Sequence, residues 1–219
     1  MIREQNFSKG PIFGPLVRFA LPILLALFLQ TMYGAVDMMV VGQFATAADV
    51  SAVSTASWLM QLVTSLVVGI AVGTTVLLGR KLGEGNAAES GKIVGASIAL
   101  FGLLGIALTV AMELLAVPLV KLMQTPPEAV GAAVAYMRIC SAGTVFIVAY
   151  NVLGSVFRGI GNSRIPLMAV AFACVFNIAG DYLLVGVFKM AAAGAAIATV
   201  AAQALSVLLS LLIIRRQKL

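Results

Sequence analysis

The sequence predicts an all-α, polytopic membrane protein of six transmembrane helices. Three observations carry that expectation. Of the 219 residues, 62% are hydrophobic and 10% charged, where soluble domains run near about 45–50% and about 25%. A membrane crossing takes about 20 apolar residues, and six apolar runs of that length recur along the chain with short polar loops between them. The basic residues, finally, crowd into alternate loops, as they do in membrane proteins.

The first run, residues 16–41, exceeds a signal-peptide core in length and no A-x-A-type site follows a short apolar region, so it reads as a retained helix. The second, residues 54–78, carries Ser54, Ser57, Gln61 and Thr64 at helical spacing. The third, residues 93–117, is apolar except for Glu113, which has no polar neighbour at i±4 and is expected to snorkel to the interface. The fourth, residues 132–157, holds Tyr136, Cys140, Thr144 and Asn151. The fifth, residues 165–187, holds Asn177 and Asp181, and the sixth, residues 193–214, holds Thr199 and Gln203. The loops are expected at residues 42–53, 79–92, 118–131 (with the turn Thr125-Pro126-Pro127-Glu128), 158–164 and 188–192. None is long enough for a separate domain, so residues 1–219 are read as one six-helix unit.

Assigning loops alternately to two sides puts Arg3, Lys9, Arg18, Arg80, Lys81, Lys92, Arg158, Arg164, Arg215, Arg216 and Lys218 on one side and Lys121, Arg138 and Lys189 on the other, 11 against 3. The positive-inside rule then makes both termini cytoplasmic. It also accounts for the net charge of +6 without a nucleic-acid partner. The loops Arg80-Lys-Leu-Gly83-Glu-Gly85-Asn86 and Arg158-Gly-Ile-Gly161-Asn162 resemble each other, but no strand precedes them and no Gly-Lys-Ser/Thr follows. They are read as tight helix–helix turns rather than phosphate loops. The absence of histidine removes histidine metal sites and Ser/His/Asp triads. Cys140 and Cys174 lie inside apolar runs, where a thiol behaves as a small hydrophobe. No nucleophile–base pair is visible, which argues against an enzyme, and no cofactor beyond a coupling H⁺ or Na⁺ is expected.

Ionisable groups at membrane depth are expensive, at least about 2.5 kcal/mol for an acid on insertion scales. Asp37 lies roughly 6 Å from the end of the first run, and Asp181 roughly 9 Å from the end of the fifth. Asn177 stands one turn from Asp181 on the same face. Thr199 falls roughly 9 Å from the start of the sixth run. Four oxygen-bearing side chains from three helices thus share one level. Carboxylate and carbonyl oxygens suit hard cations, and two carboxylates close together in an apolar setting repel unless a proton or cation joins them. The cluster is therefore a candidate H⁺ or Na⁺ site. The competing reading is a hydrogen-bond clamp in which Asn177 and Asp181 only hold helices together. Gln30, Tyr33 and Asp37 recur at i, i+3, i+7, turning one face of the first helix from lipid towards protein or water. Gln30, Tyr33, Gln61, Tyr136, Asn151 and Gln203 are expected as neighbours of the cluster or as cavity lining, Asn151 at a lower level.

Three separated motifs carry a family resemblance: Gln30-Thr-Met-Tyr33-Gly-Ala-Val-Asp37-Met-Met-Val-Val-Gly42, Phe157-Arg-Gly-Ile-Gly161-Asn162-Ser-Arg-Ile-Pro166 and Asn177-Ile-Ala-Gly-Asp181-Tyr. The chain is similar to the multidrug and toxic compound extrusion (MATE) transporters along its whole length, covering their helices one to six. The resemblance implies one lobe of a two-lobed, twelve-helix exporter of cationic or amphipathic drugs in a bacterial inner membrane. It implies a cation-coupling site at Asp37, Asn177, Asp181 and Thr199, with Tyr136 as a neighbour. Ion binding at Asp37 and Asp181 is expected to shift helix packing around the first helix, at Pro22 or Gly34.

The chain departs from the family in lacking a second lobe, so the expected partner is a missing carboxy-terminal half or a second copy in a parallel homodimer. Two alternatives stay open. A lipid-linked sugar flippase of similar architecture would line its cavity with several Arg or Lys residues for pyrophosphate. A non-transporting membrane subunit would show neither ion nor drug affinity.

Overall fold

The computed structural model describes residues 13–217, with the Gln217 side chain excepted. Arg3, Lys9 and Lys218, counted above for orientation, lie outside the described residues. Seven α-helices follow in order: α1 (Phe13–Phe44), α2 (Ala47–Gly83), α3 (Ala87–Leu122), α4 (Pro127–Ala142), α5 (Thr144–Gly159), α6 (Arg164–Asp181) and α7 (Ala191–Gln217), with a π-helical segment, Tyr182–Val187, continuing α6. Four helices are single spans, α6 with its π-helical continuation is a fifth, and α4 and α5, bent by 51° at their junction, are the sixth.

The helices overrun the apolar runs at both ends. The loop expected at residues 42–53 shrinks to Ala45 and Thr46, because the polar start of α2 is built as a capping box. Thr46 Oγ1 accepts from the Asp49 N–H at 3.2 Å and Asp49 Oδ2 accepts from the Thr46 N–H at 3.1 Å, satisfying two donors that a helix start leaves free. The α2–α3 and α5–α6 turns share one geometry. Gly85 (φ 75°) and Gly161 (φ 79°) take the left-handed conformation that costs glycine no Cβ clash. One residue on, Asn86 N–H donates to Lys81 O at 3.0 Å and Asn162 N–H to Phe157 O at 2.8 Å. Each asparagine then caps the next helix: Asn86 Oδ1 accepts from Glu89 N–H, and Asn162 Oδ1 from the Arg164 and Ile165 N–H groups. Both glycine pairs are therefore helix-stop, helix-start devices. Around the first turn Lys81 pairs with Glu84 at 3.0 Å and with Glu89 at 2.8 Å.

The fourth run is not one straight helix. It breaks at Gly143, where a Cβ would stand 2.5 Å from both methyl groups of Val200 on α7. Only a residue without a side chain lets α7 press this close, and the chain bends there.

α2 packs on α4 and α5, α6 pairs with α7, and α1 leans on α6. Small residues let these backbones approach: Ala52, Ala56, Ala116, Ala129, Ala133, Ala195 and Ala196 are fully buried in the main core. A second core joins α2, α3 and α5 through Val67, Ala71, Phe101, Val148 and Val152. Large apolar side chains such as Leu24, Phe28, Leu62, Leu103, Leu114 and Leu212 are exposed around the outside, which in a bilayer is the lipid-facing surface.

Candidate functional site

A cavity of about 740 Å³ lies among α1, α2, α4, α5, α6 and α7. α1 contributes Gln30, Thr31, Tyr33 and Asp37, and α2 contributes Ser57, Gln61, Thr64 and Ser65. Tyr136 and Cys140 of α4, Tyr150 and Asn151 of α5, and Thr199 and Gln203 of α7 complete the polar lining. The periodicity of each helix explains the grouping, since residues three and four apart share a face. Among the described residues the lining holds one carboxylate, Asp37, and no Arg or Lys.

Its walls are hydrogen-bonded in pieces. Ser57 Oγ donates to Tyr136 Oη at 3.2 Å, Gln30 Nε2 donates to Tyr150 Oη at 3.4 Å, and Asn151 Nδ2 donates to Ile147 O at 2.8 Å. Of the residues expected as neighbours or lining, Gln30, Tyr33, Gln61, Tyr136, Asn151 and Gln203 all face the cavity. Asn177 and Asp181 do not. They are 1% and 0% exposed and are absent from the cavity lining, so the cluster has a cavity side, Asp37 and Thr199, and a deep side, Asn177 and Asp181.

Asn177 Nδ2 donates to Thr199 Oγ1 at 3.2 Å. That bond is the clamp considered above, and it leaves Asn177 Oδ1 free of any donor. Asp37 Oδ1, both oxygens of Asp181 and Gln203 Oε1 are likewise shut from solvent with no hydrogen-bond donor among the described residues. Five acceptor oxygens on four residues are thus unmatched. Buried acceptors are normally satisfied, and an unpaired buried carboxylate is among the costliest groups in a protein. A clamp accounts for Asn177 and Thr199 but not for Asp181. An oxygen-rich, donor-poor pocket is what a proton or hard cation requires.

Two placements differ from the sequence reading. Glu113 does not stand alone at the interface, since Arg138 of α4 comes within 3.9 Å of it; the partner is on another helix, where spacing along α3 cannot show it. Tyr150, accepting from Gln30 in the cavity wall, was not anticipated. A tyrosine inside an apolar run reads as packing, and the one signal was its position beside Asn151.

A helical membrane bundle whose polar cavity adjoins buried acids has the architecture of a membrane transporter. The chain belongs to the MatE family, whose model matches residues 22–183; this is a family of transporters, not of enzymes. It is 29% identical to "Probable multidrug resistance protein YpnP" of Bacillus subtilis over 100% of this chain and 49% of that protein. It is 30% identical to "Probable multidrug resistance protein YoeA" of the same organism, over 98% of this chain and 47% of the other. "Multidrug export protein MepA" of Staphylococcus aureus is 25% identical over 88% of this chain and 43% of that protein. The chain therefore spans about half the length of the curated relatives it matches. Among solved structures, an outward-facing multidrug resistance MATE transporter superimposes with a TM-score of 0.86 at 25% identity, covering 92% of this chain and 45% of that one. A MATE protein in complex with MaD5 shares the fold with a TM-score of 0.90 at 24% identity, over 99% and 49%.

Proposed function

We propose that this chain is the cation-coupling, amino-terminal lobe of a secondary active multidrug exporter, working by drug:H⁺ or drug:Na⁺ antiport in a bacterial plasma membrane. The observation that carries the reading is the set of five buried, donorless oxygens on Asp37, Asn177, Asp181 and Gln203 beside the cavity. Asp37, Asn177, Asp181 and Thr199 hold the coupling ion, and the cavity takes the cationic or amphipathic drug. Because Asp37 belongs to both places, ion and drug oppose each other: neutralising Asp37 removes the negative charge that attracts a cationic drug. Linkage makes that opposition reciprocal.

The basic-residue count supports cytoplasmic termini, and the half-length match supports a second six-helix lobe as partner, either a missing half or a second copy. The cavity lining, without Arg or Lys, offers no support for a pyrophosphate-binding flippase. The test is efflux of a fluorescent cationic dye from liposomes under separate pH and Na⁺ gradients, with this chain alone and with a second-lobe partner. Gradient-driven efflux that requires Asp37 and Asp181 supports the reading. Efflux that is indifferent to both gradients overturns it.

A further inference from the structure

We infer that Gln203 is a ligand-supplying residue of the cation site, contributing the oxygen on its cavity side, and that it serves Na⁺ rather than H⁺. The inference rests on the coupling-site reading above.

Gln203 stands one turn along α7 from Thr199, on the same face. The α6–α7 register is fixed at three points. Asn177 bonds Thr199 at 3.2 Å, Ser206 Oγ donates to Ala169 O at 3.0 Å, and a Cβ on Gly180 would meet Ala198 at 3.0 Å. In that antiparallel register Gln203 lies opposite Ala173, which carries no polar group to satisfy it. Its side chain lines the cavity, yet its Oε1 is closed to solvent and meets no donor. A glutamine free to swing its amide into a polar cavity would be expected to expose that oxygen. Gln203 Oε1 thus adds a donorless oxygen one turn along α7 from Thr199, the hydrogen-bond partner of Asn177.

The chemistry separates the two ions. A proton on one carboxylate makes a single O–H donor and is satisfied by one acceptor oxygen, so it has no use for a set of several. A hard metal cation is held by several oxygens at once, amide carbonyls included. Thr199 and Gln203 on α7, with Asn177 and Asp181 on α6 and Asp37 on α1, give such a cation neutral and anionic oxygens from three helices.

The experiment is saturable binding of radioactive Na⁺ to the purified full chain in nanodiscs, comparing wild type, Asp181→Asn, Gln203→Met and Gln203→Glu. Met keeps length and bulk without an oxygen, while Glu restores one. Wild type is expected to bind, Asp181→Asn to lose binding, and Gln203→Met to weaken it about 10- to 100-fold with its sodium-free melting temperature unchanged. Gln203→Glu is expected to bind at least as well as wild type. Wild-type affinity in Gln203→Met overturns the assignment while leaving the coupling site standing. Equal loss in the Met and Glu variants also overturns it, since a merely structural role is then indicated. If wild type binds no Na⁺, the Gln203 assignment is overturned while an H⁺-coupled site still stands; if binding is unchanged by Asp181→Asn, the coupling-site reading fails and takes the Gln203 assignment with it.

Discussion

Asp181 is fully buried, with neither carboxylate oxygen meeting a donor among the described residues, and that observation supports the proposed ion site over a structural clamp. A clamp residue would have its partner; among the described residues Asp181 has none, whereas Asn177 has Thr199. Asp37→Asn and Asp181→Asn keep the shape of each side chain while removing the charge. Each variant is expected to reduce gradient-driven dye efflux to the level of empty liposomes, with the protein still eluting as a folded species. Retained efflux in both refutes the assignment. These acids stand out in the sequence because an ionised group inside an apolar run needs a reason to be there. Tyr150 does not stand out, since its ring satisfies the same hydrophobic pattern as Phe or Leu and only its hydroxyl, bonded to Gln30, sets it apart. The Glu113–Arg138 contact joins two helices, and a pairing in space leaves no trace in spacing along one of them.

Helix ends follow capping, not hydropathy. Hydropathy marks where the bilayer begins, whereas α2 starts at Ala47, seven residues before its apolar run at Ser54, because Thr46 and Asp49 cap it there. Thr46→Ala is expected to cost about 1 kcal/mol, read as a fall in melting temperature of about 2–4 °C, and Asp49→Asn less. The break between α4 and α5 belongs to the same scale. Nothing around Gly143 in the sequence distinguishes it from the other glycines of this chain; its meaning comes from Val200, which sits on a different helix. Gly143→Ala is expected to destabilise by about 1–3 kcal/mol through overpacking. Val200→Ala in the same chain should return most of that loss in a double-mutant thermal cycle. Additive losses would place the importance of Gly143 elsewhere than in this contact.

At the scale of the molecule, the chain spans about half the length of the relatives it matches. The six-helix count, the cavity-facing polar stripes and the family were legible because each repeats a local pattern many times. The division of the cluster into a cavity side and a deep side was not, since equal depth along separate helices says nothing about which faces meet the cavity. Detergent-solubilised mass and liposome transport together test the partner. We expect a monomer that moves no dye until a second lobe is supplied. Transport by the chain alone at twice its mass would instead establish a parallel pair of copies.

Phe44, at the end of α1, touches the Tyr182 ring edge-on at 5.7 Å, lies 5.0 Å beneath the Lys189 ammonium, and has Gly186 against its ring. Three residues on, at Ala47, α2 begins. In the rest of α1 only Asp37 and Val41 are buried, both within two turns of that end. α1 is thus anchored like a lever at its fulcrum. Between Phe13 and Asp37 runs about 36 Å of helix in which no described residue is fully buried and Gln30 bonds Tyr150, so any tilt set beside the aspartates is a larger displacement at the opposite end of α1.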